Sequence, residues 1–460
     1  MAEQRNILVI FNDDHAQWAL GAYGNREIRS PNLDYLAQSG VLMDNAFTPT
    51  PICSPSRACF LTGRLASQHG LHDFLAFSDP VASSRWWLAG ESTLAQLLVA
   101  HGYQTAMCGK WHVGNDVTPQ AGFEYWFSLG GVYPINRSGP YPYSENGSVS
   151  ERTGYKTSII TDKAVHFLRQ RDAQRPFFLY VALRATHAPW RDHPERSVVP
   201  YRHCTFDDVP QDAMYPFGKQ VLSSIAPTRN NPREALAHYY AAVTRTDEAI
   251  GRLLDELEAR GLRKNTLVVY TSDHGLCCGH HGIWGKGNAT LPLNMVEESI
   301  RVPLIFNQPG ALFAPQRRQE FVDHLDLFQT LLDYADASLP DERAGSYPGR
   351  SFLPLLTGSA ALPAWRDAQF GEYGNLRMIR TRTQKLVLRY PDGPCELFDL
   401  LHDPRETVNC YGDPVYQELV RILTARLEAH FTRYEDPLKS GLRVRDLPRH
   451  NNAEAWRLLP

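Results

Sequence analysis

The feature that most constrains this chain is an alternation. Short continuous apolar runs recur along it, and stretches with helical periodicity separate them. Residues 6–12, 103–108, 177–183, 266–271 and 302–306 read as strands with apolar side chains on both faces. Residues 92–101, 158–171, 233–260 and 323–334 place apolar side chains at helical spacing, and Ser30-Pro31 opens a further helix that Gly40 closes. Strands buried on both faces and joined through helices belong to a parallel sheet covered on either side. The pattern changes after about Pro348. Residues 376–390 and 395–400 read as short antiparallel strands around the turn Pro391-Asp392-Gly393, and a helix over 414–433 precedes a polar tail. The predicted fold is α/β, with a large mostly parallel sheet flanked by helices over residues 1–349. A smaller C-terminal α+β subdomain with a short antiparallel sheet takes residues 350–460.

Composition narrows the function classes. With 43% apolar and 21% charged residues, the chain is neither disordered nor fibrous. Lys and Arg total 47 against 50 Asp and Glu, so nothing electrostatic argues for nucleic acid or an anionic membrane as partner. The longest apolar runs, such as 176–183, are strand-sized rather than membrane-spanning. Residues 1–12 lack a secretory apolar segment, and the expected compartment is the cytoplasm. Eight cysteines are too few for a disulfide framework. Cys59, Cys108, Cys204, Cys395 and Cys410 read as small apolar residues, and Cys277-Cys278 is an adjacent pair rather than a metal-type C-x-x-C.

The polar clusters fall just past the predicted strands. Asp13-Asp14 follows the first strand, Lys110-Trp111-His112 the run ending at Cys108, His187 the run 177–183, and Asp273-His274 the run 266–271. That edge of an open α/β sheet is where ligands bind, so the four clusters are expected to converge. Two carboxylate-bearing clusters suit a hard divalent cation such as Ca²⁺ or Mg²⁺. A single Asp after a strand would more simply be a helix cap. Cys53 lies in Thr50-Pro51-Ile52-Cys53-Ser54-Pro55-Ser56-Arg57, where Ser54 and Pro55 read as N-cap and first helical residue, with Gly63 ending the helix. Helix amides favour an anion there, and Arg57 adds a permanent charge one turn on. A packed, inert cysteine is the plain reading. A thiol nucleophile with His112, His187 or His274 as base is another, although it would need no cation.

Together these segments resemble the formylglycine-dependent (type I) sulfatases of the alkaline phosphatase superfamily. Cys53-Ser54-Pro55-Ser56-Arg57, running on to Leu61-Thr62-Gly63-Arg64, is similar to the C-x-P-S-R…L-T-G-R signature. Gly109-Lys110-Trp111-His112-Val113-Gly114 resembles the G-K-W-H-x-G pattern. Asp13-Asp14, Asp273-His274-Gly275, Thr186-His187-Ala188-Pro189 and Gly285-Lys286-Gly287 follow the family's order, as does the late stretch Glu396-Leu397-Phe398-Asp399-Leu400 with Asp403-Pro404 and Glu406.

The resemblance implies a sulfuric ester hydrolase that releases inorganic sulfate from a small organic or carbohydrate ester. It implies formylglycine (3-oxoalanine) made from Cys53 by a maturation enzyme, and one divalent cation, Ca²⁺ first, with Mg²⁺ or Mn²⁺ as alternatives. Asp13, Asp14, Asp273, His274 and modified Cys53 would bind the cation. Arg57 and His112 would orient and deprotonate the hydroxyls of residue 53. Lys110 and Lys286 would hold sulfate oxygens, and His187 with Lys286 would serve the leaving oxygen. His274 stands where many members have Asn, and imidazole suits Ca²⁺ less well than an amide oxygen. It could instead hydrogen-bond a hydroxyl facing the sulfate.

Two other readings share these residues. One is a phosphonate monoester or phosphodiester hydrolase of the same superfamily. The other is a catalytically silent, sulfatase-like binding protein in which Cys53 stays a thiol. Tyr133, Arg137, Tyr141, Tyr143 and Trp190, in irregular segments near the motifs, could line a sugar pocket. His280-His281 reads as loop structure, because no third ligand is in register. The tail, 437–460, carries Leu442, Val444, Leu447, Trp456 and Leu458, too apolar for a purely solvated segment. It is expected to pack on the body or on a second copy in a homo-oligomer.

Overall fold

The computed structural model describes residues 5–76, 79–130, 139–214, 219–221, 230–340, 345–358 and 365–458. Ten strands form one sheet: β1 (Asn6–Asp13), β2 (Val41–Phe47), β3 (Gln104–Gly109), β4 (Tyr125–Ser128), β5 (Pro140–Glu145), β6 (Ser148–Thr153), β7 (Phe177–Thr186), β8 (Thr266–Ser272), β9 (Leu304–Asn307) and β10 (Gln316–Asp323). Their order across the sheet is β10-β2-β9-β8-β1-β7-β3-β4-β5-β6. Only β5 and β9 run against the rest, so the sheet is mixed but mostly parallel.

Strand alternation divides the core into two layers. Leu8 and Ile10 of β1 face the helices Pro31–Gln38, Lys156–Gln170 and Pro232–Ala259. Ile7, Val9 and Phe11 face the helices Cys53–Thr62, Leu94–Ala100 and His324–Tyr334. All eight residues of β1 are buried, as a central strand covered on both faces requires.

Five strands of the sheet carried too weak an apolar signal to be expected from the sequence. Val41–Phe47 is interrupted by Asp44-Asn45, and Gln316–Asp323 is polar over most of its length. Ser148–Thr153 is an exposed edge strand, and its partner Pro140–Glu145 contains two prolines. Tyr125–Ser128 is only four residues long. The expected helix 323–334 begins one residue later, because Asp323 closes β10 and caps the helix by accepting from the Leu325 and Asp326 amides.

In the C-terminal region, β11 (Ala368–Tyr373), β12 (Leu376–Thr381), β13 (Gln384–Arg389) and β14 (Glu396–Asp399) form an antiparallel meander. Pro391-Asp392-Gly393 lies between β13 and β14, as expected. The expected run 376–390 is itself a hairpin that reverses at Arg382-Thr383. One face of this sheet packs through Met378 and Val387 against Phe47, Ile52 and Met295 of the body. The other meets Leu423, Leu427 and Phe431 of the helix Gln417–Tyr434.

The tail then crosses the body. His450 Nε2 accepts the His72 amide at 3.1 Å, its ring stacks on Trp87, and Trp456 sits edge-on to Tyr373 in the same core as Met378. Among the described residues no helix is long and apolar enough to cross a membrane.

Candidate active site

Four parallel strands deliver the expected clusters to one edge. Register pairs Asp13 of β1 with Thr186 of β7, and Asn12 with Ser272 of β8, so Asp13-Asp14, His187 and Asp273-His274 emerge side by side. β3 joins on the other side of β7. Its last residue, Gly109, has φ +125°, and a Cβ there would lie 1.9 Å from the Ala182 carbonyl oxygen. Only glycine lets the chain turn there and bring Lys110 and His112 inward. Asp14 (φ 63°) and His112 (φ 60°) hold left-handed backbone without being glycine. Such strain concentrates where side chains are aimed for function. Thr186 Oγ1 (2.8 Å) and the Tyr239 hydroxyl (3.1 Å) both donate to the Asp14 carbonyl and pin that turn.

Cys53 is the first residue of its helix rather than the residue before it, with Ile52 as cap, and it is 3% exposed. Lys286 Nζ donates to Cys53 Sγ (3.1 Å) and to Asp14 Oδ1 (2.5 Å). His274 Nε2 lies 3.4 Å from the same sulfur and 3.3 Å from Asp14 Oδ1. Lys110 donates to Asp13 Oδ2 (2.6 Å), and Arg57 reaches Asp273 Oδ2 (2.9 Å) and the Lys110 carbonyl (3.1 Å). The expected site residues therefore do converge.

Their engagements sort them. Donor atoms of Asp13, Asp14, Cys53 and His274 all lie within 4.8 Å of one another. Asp13 Oδ1 and Asp14 Oδ2 are buried oxygens with no hydrogen-bond donor. Two orphaned carboxylate oxygens beside an imidazole and residue 53 fit a divalent cation. His274 Nδ1 donates to the Gly275 carbonyl (2.9 Å), which leaves the Nε2 lone pair for that cation. Asp273 Oδ1 borders this set, 3.3 Å from His274 Nε2, but its oxygens are also engaged elsewhere. Its Oδ1 already accepts the Asp14 and His274 amides (3.2 and 3.0 Å) while Oδ2 takes Arg57. Arg57 and Lys110 sit behind the set as buried counter-charges.

The electrostatics follow from burial opposed by these charges. Burial alone would raise the Cys53 thiol, but Lys110 and Lys286 bring it down to about 6. Asp14, likewise buried, is held at about 2 by Lys286 and its neighbouring histidines. Burial lowers His187 to about 3 and His112 well below its usual value, so both imidazoles are neutral near pH 7. His112 donates Nε2–H to the Leu75 carbonyl (3.0 Å), leaving Nδ1 as its basic atom. His187 donates Nδ1–H to the Ala188 carbonyl (2.5 Å), so its Nε2 must gain a proton before serving a leaving oxygen.

A cavity of about 470 Å³ opens onto Cys53, Asp14, His112, His187 and Lys286. Asp73, Tyr373 and the tail residues Ala453, Ala455 and Leu458 also line it, a role in the site that was not expected for any of them. Tyr141, Tyr143 and Trp190 do not serve as cavity walls. The first two lie on strand β5, not in an irregular segment, and are buried in the core, and Trp190 packs on Tyr239 while donating to the Thr186 carbonyl (2.7 Å). Tyr133 and Arg137 lie outside the described residues. His280-His281 forms a short turn, as expected. Glu298 and Glu406 do approach His281, with Glu298 Oε2 at 2.7 Å from its Nε2, but the Lys385 ammonium already neutralises Glu406.

Comparisons with known proteins agree with this geometry. Residues 5–337 match the Sulfatase family model, and residues 279–433 match the model described as N-sulphoglucosamine sulphohydrolase, C-terminal. An N-acetylglucosamine-6-O-sulfatase of Bacteroides thetaiotaomicron is 29% identical over 94% of this chain and 87% of its own length. An ulvan-active sulfatase of Formosa agariphila is 30% identical over 95% and 82%. A solved structure of an enzyme in complex with its substrate, D-glucosamine-2-N,6-O-disulfate, superposes with a TM-score of 0.79 at 28% identity, covering 94% of this chain and 98% of that one. With the motifs converged in one cavity and matches of this extent, the chain belongs to the sulfatase family, hydrolases of sulfuric esters.

Proposed function

We propose that this chain releases inorganic sulfate from a small sulfated sugar, with residue 53 matured to formylglycine. In this reading one divalent cation, Ca²⁺ before Mg²⁺ or Mn²⁺, is held by Asp13, Asp14, His274 and residue 53. The observation that carries it is the position of Cys53. Its sulfur heads a helix, faces a cavity, and lies among two orphaned carboxylate oxygens, an imidazole and the Lys286 ammonium. The sugar assignment rests on the two relatives and the solved structure, whose names and substrate are carbohydrate sulfatases and a sulfated glucosamine.

Hydrated formylglycine would supply two geminal hydroxyls, one to attack sulfur and one whose deprotonation expels sulfate. The cation would lower the pKa of the attacking hydroxyl and screen the ester oxygens. The chain's own side chains provide the rest. Arg57, fully buried, fixes Asp273, which in turn positions the His274 and Asp14 amides. His112, neutral with Nδ1 basic, takes the proton released from residue 53. Lys286 holds a permanent positive charge where the sulfur group shifts its charge, and it lies close enough to donate toward the leaving oxygen. His187 contributes to that step only when protonated. Lys110 acts at one remove, by neutralising Asp13. At 3% exposure in a helix, Cys53 would be accessible to a maturation enzyme only before the chain folds.

The test is peptide mass spectrometry for the aldehyde at residue 53, together with a substrate screen on the matured protein. Sulfate release from sugar sulfates should exceed phosphate or phosphonate ester cleavage. Faster turnover of phosphonate monoesters would assign the sister activity. A protein in which residue 53 stays a thiol and which turns over none of these esters would be the silent binding protein.

A further inference from the structure

The catalytic groups leave one ionisable residue of the cavity unexplained. Asp73 is 2% exposed and lines the same cavity as Cys53 and Lys286, on the wall formed by Tyr373 and the tail. Its Oδ1 accepts the Tyr373 hydroxyl at 2.6 Å and the Phe74 amide at 2.8 Å. The Asn451 side chain also hydrogen-bonds the carboxylate and the nearby His450 ring favours its charge, but no Lys or Arg pairs with it among the described residues. A carboxylate offers about four lone-pair sites, so Asp73 on the cavity wall keeps acceptor capacity beyond the Tyr373, Phe74 and Asn451 donors. Burial pushes its pKa up to about 6.

The wall around it is built, not incidental. Asn451 Nδ2 donates to the Phe74 carbonyl at 2.9 Å, and the Ala76 amide donates to the His450 carbonyl at 3.1 Å. These bonds tie the tail to the 73–76 segment. Arg457 clasps the Leu447 carbonyl at 2.8 Å and pairs with Glu454, which holds the turn that presents Ala453 and Ala455 to the cavity.

We propose that Asp73 and the tail residues Ala453–Leu458 form the subsite for the alcohol part of the ester, with Asp73 accepting a ring hydroxyl of a single sugar unit. The assignment rests on the sulfate-ester reading above and adds which part of the protein reads the alcohol. Asp73 supplies the polar contact, and the alanine and leucine side chains supply a smooth wall for the C–H face of the ring. An alcohol without ring hydroxyls has nothing to offer Asp73.

Asp73→Asn is the discriminating variant. It keeps Oδ1 for Tyr373 and Phe74 and replaces the accepting Oδ2 by an NH₂ donor. On matured enzyme, kcat/KM for the preferred monosaccharide sulfate should fall about 10- to 100-fold, the usual loss of a hydrogen bond to a charged group. Hydrolysis of 4-nitrophenyl sulfate and inhibition by inorganic sulfate should change less than about twofold, because neither requires the hydroxyl contact. Ala453→Phe, at an exposed position on the rim, should raise KM for the sugar ester without altering inhibition by sulfate. Equal losses on both esters in Asp73→Asn, or no loss on the sugar, overturns the subsite. Wild-type enzyme that cleaves the aryl ester but no monosaccharide sulfate overturns the subsite and leaves the sulfatase reading standing. Wild-type enzyme inert on both esters overturns that reading and the subsite with it.

Discussion

Lys286 Nζ lies 3.1 Å from Cys53 Sγ, so the proposed formylglycine position meets a permanent cation inside a buried site. The same ammonium neutralises Asp14. Lys286→Met removes both effects. Loss of a charge aimed at the reacting group should lower kcat about 10²- to 10³-fold. It also leaves Asp14 without its lysine, so the fall in melting temperature should be large in chelator and small with a divalent cation present. A variant with wild-type sulfate release would remove Lys286 from the mechanism.

The orphaned Asp13 Oδ1 makes a second prediction. Asp13→Asn keeps the side chain's shape but halves the carboxylate charge of the Asp13-Asp14 pair facing the donor set. Metal content, measured by atomic emission on dialysed protein, should drop from about one ion per chain to well below that, with activity falling in step. Chelation of the wild type should abolish turnover, and Ca²⁺ should restore it. Full occupancy in Asp13→Asn would strike Asp13 from the ligands.

How far the sequence reached can be judged from particular residues. Asp13-Asp14, Lys110 and Asp273 were placed correctly because parallel strands end in register, so apolar runs announce the edge where polar residues meet. The hydrogen bonds of Asp273 were out of reach, since they depend on which amides and guanidinium approach each oxygen. Asp73 and the tail were also out of reach as site residues. Nearly four hundred residues separate them, and they meet only through the fold. Tyr141 and Tyr143 misled because an aromatic in a polar-looking segment reads the same whether it lines a cavity or faces a core.

Glu372 predicts a pH effect away from the catalytic groups. Burial raises its carboxyl from 4.5 to about 7, while one oxygen accepts the Ser67 amide at 2.8 Å and the other has no donor. The folded state therefore binds the proton more tightly than the unfolded chain. This contribution to stability is complete below pH 4.5 and is lost as pH rises to about 7, on the order of 3 kcal/mol. Glu372→Gln retains the Ser67 contact and cannot ionise. Its melting temperature should match wild type near pH 4.5 and exceed it at pH 8. Parallel melting curves across that range would contradict the assignment.

The tail should contribute to stability as well as to the cavity wall. Trp456 is almost fully buried beside Tyr373, and Gly374 owes its lack of a side chain to that indole, which a Cβ would approach to 2.2 Å. Trp456→Ala should cost about 3–5 kcal/mol in chemical denaturation. An unchanged unfolding midpoint would mean that the tail detaches in solution.

The last prediction separates the two oxygens that formylglycine would bring to residue 53. Cys53→Ser leaves one hydroxyl at the head of the helix, beside Lys286 and the donor set of Asp13, Asp14 and His274. Attack on sulfur remains chemically available to it, with His112 to take the proton. Sulfate would then be esterified to the serine oxygen, and the alcohol would leave. The cycle stops there, because a serine sulfate has no second hydroxyl on the same carbon whose deprotonation could expel sulfate. A serine hydroxyl is also a weaker nucleophile than a hydrated aldehyde, so the single turnover should be slow. The expected result is at most one equivalent of alcohol per chain and a mass increase confined to the peptide containing residue 53. Sustained turnover with no trapped ester would mean that water attacks sulfur directly, and position 53 would then serve only as a ligand.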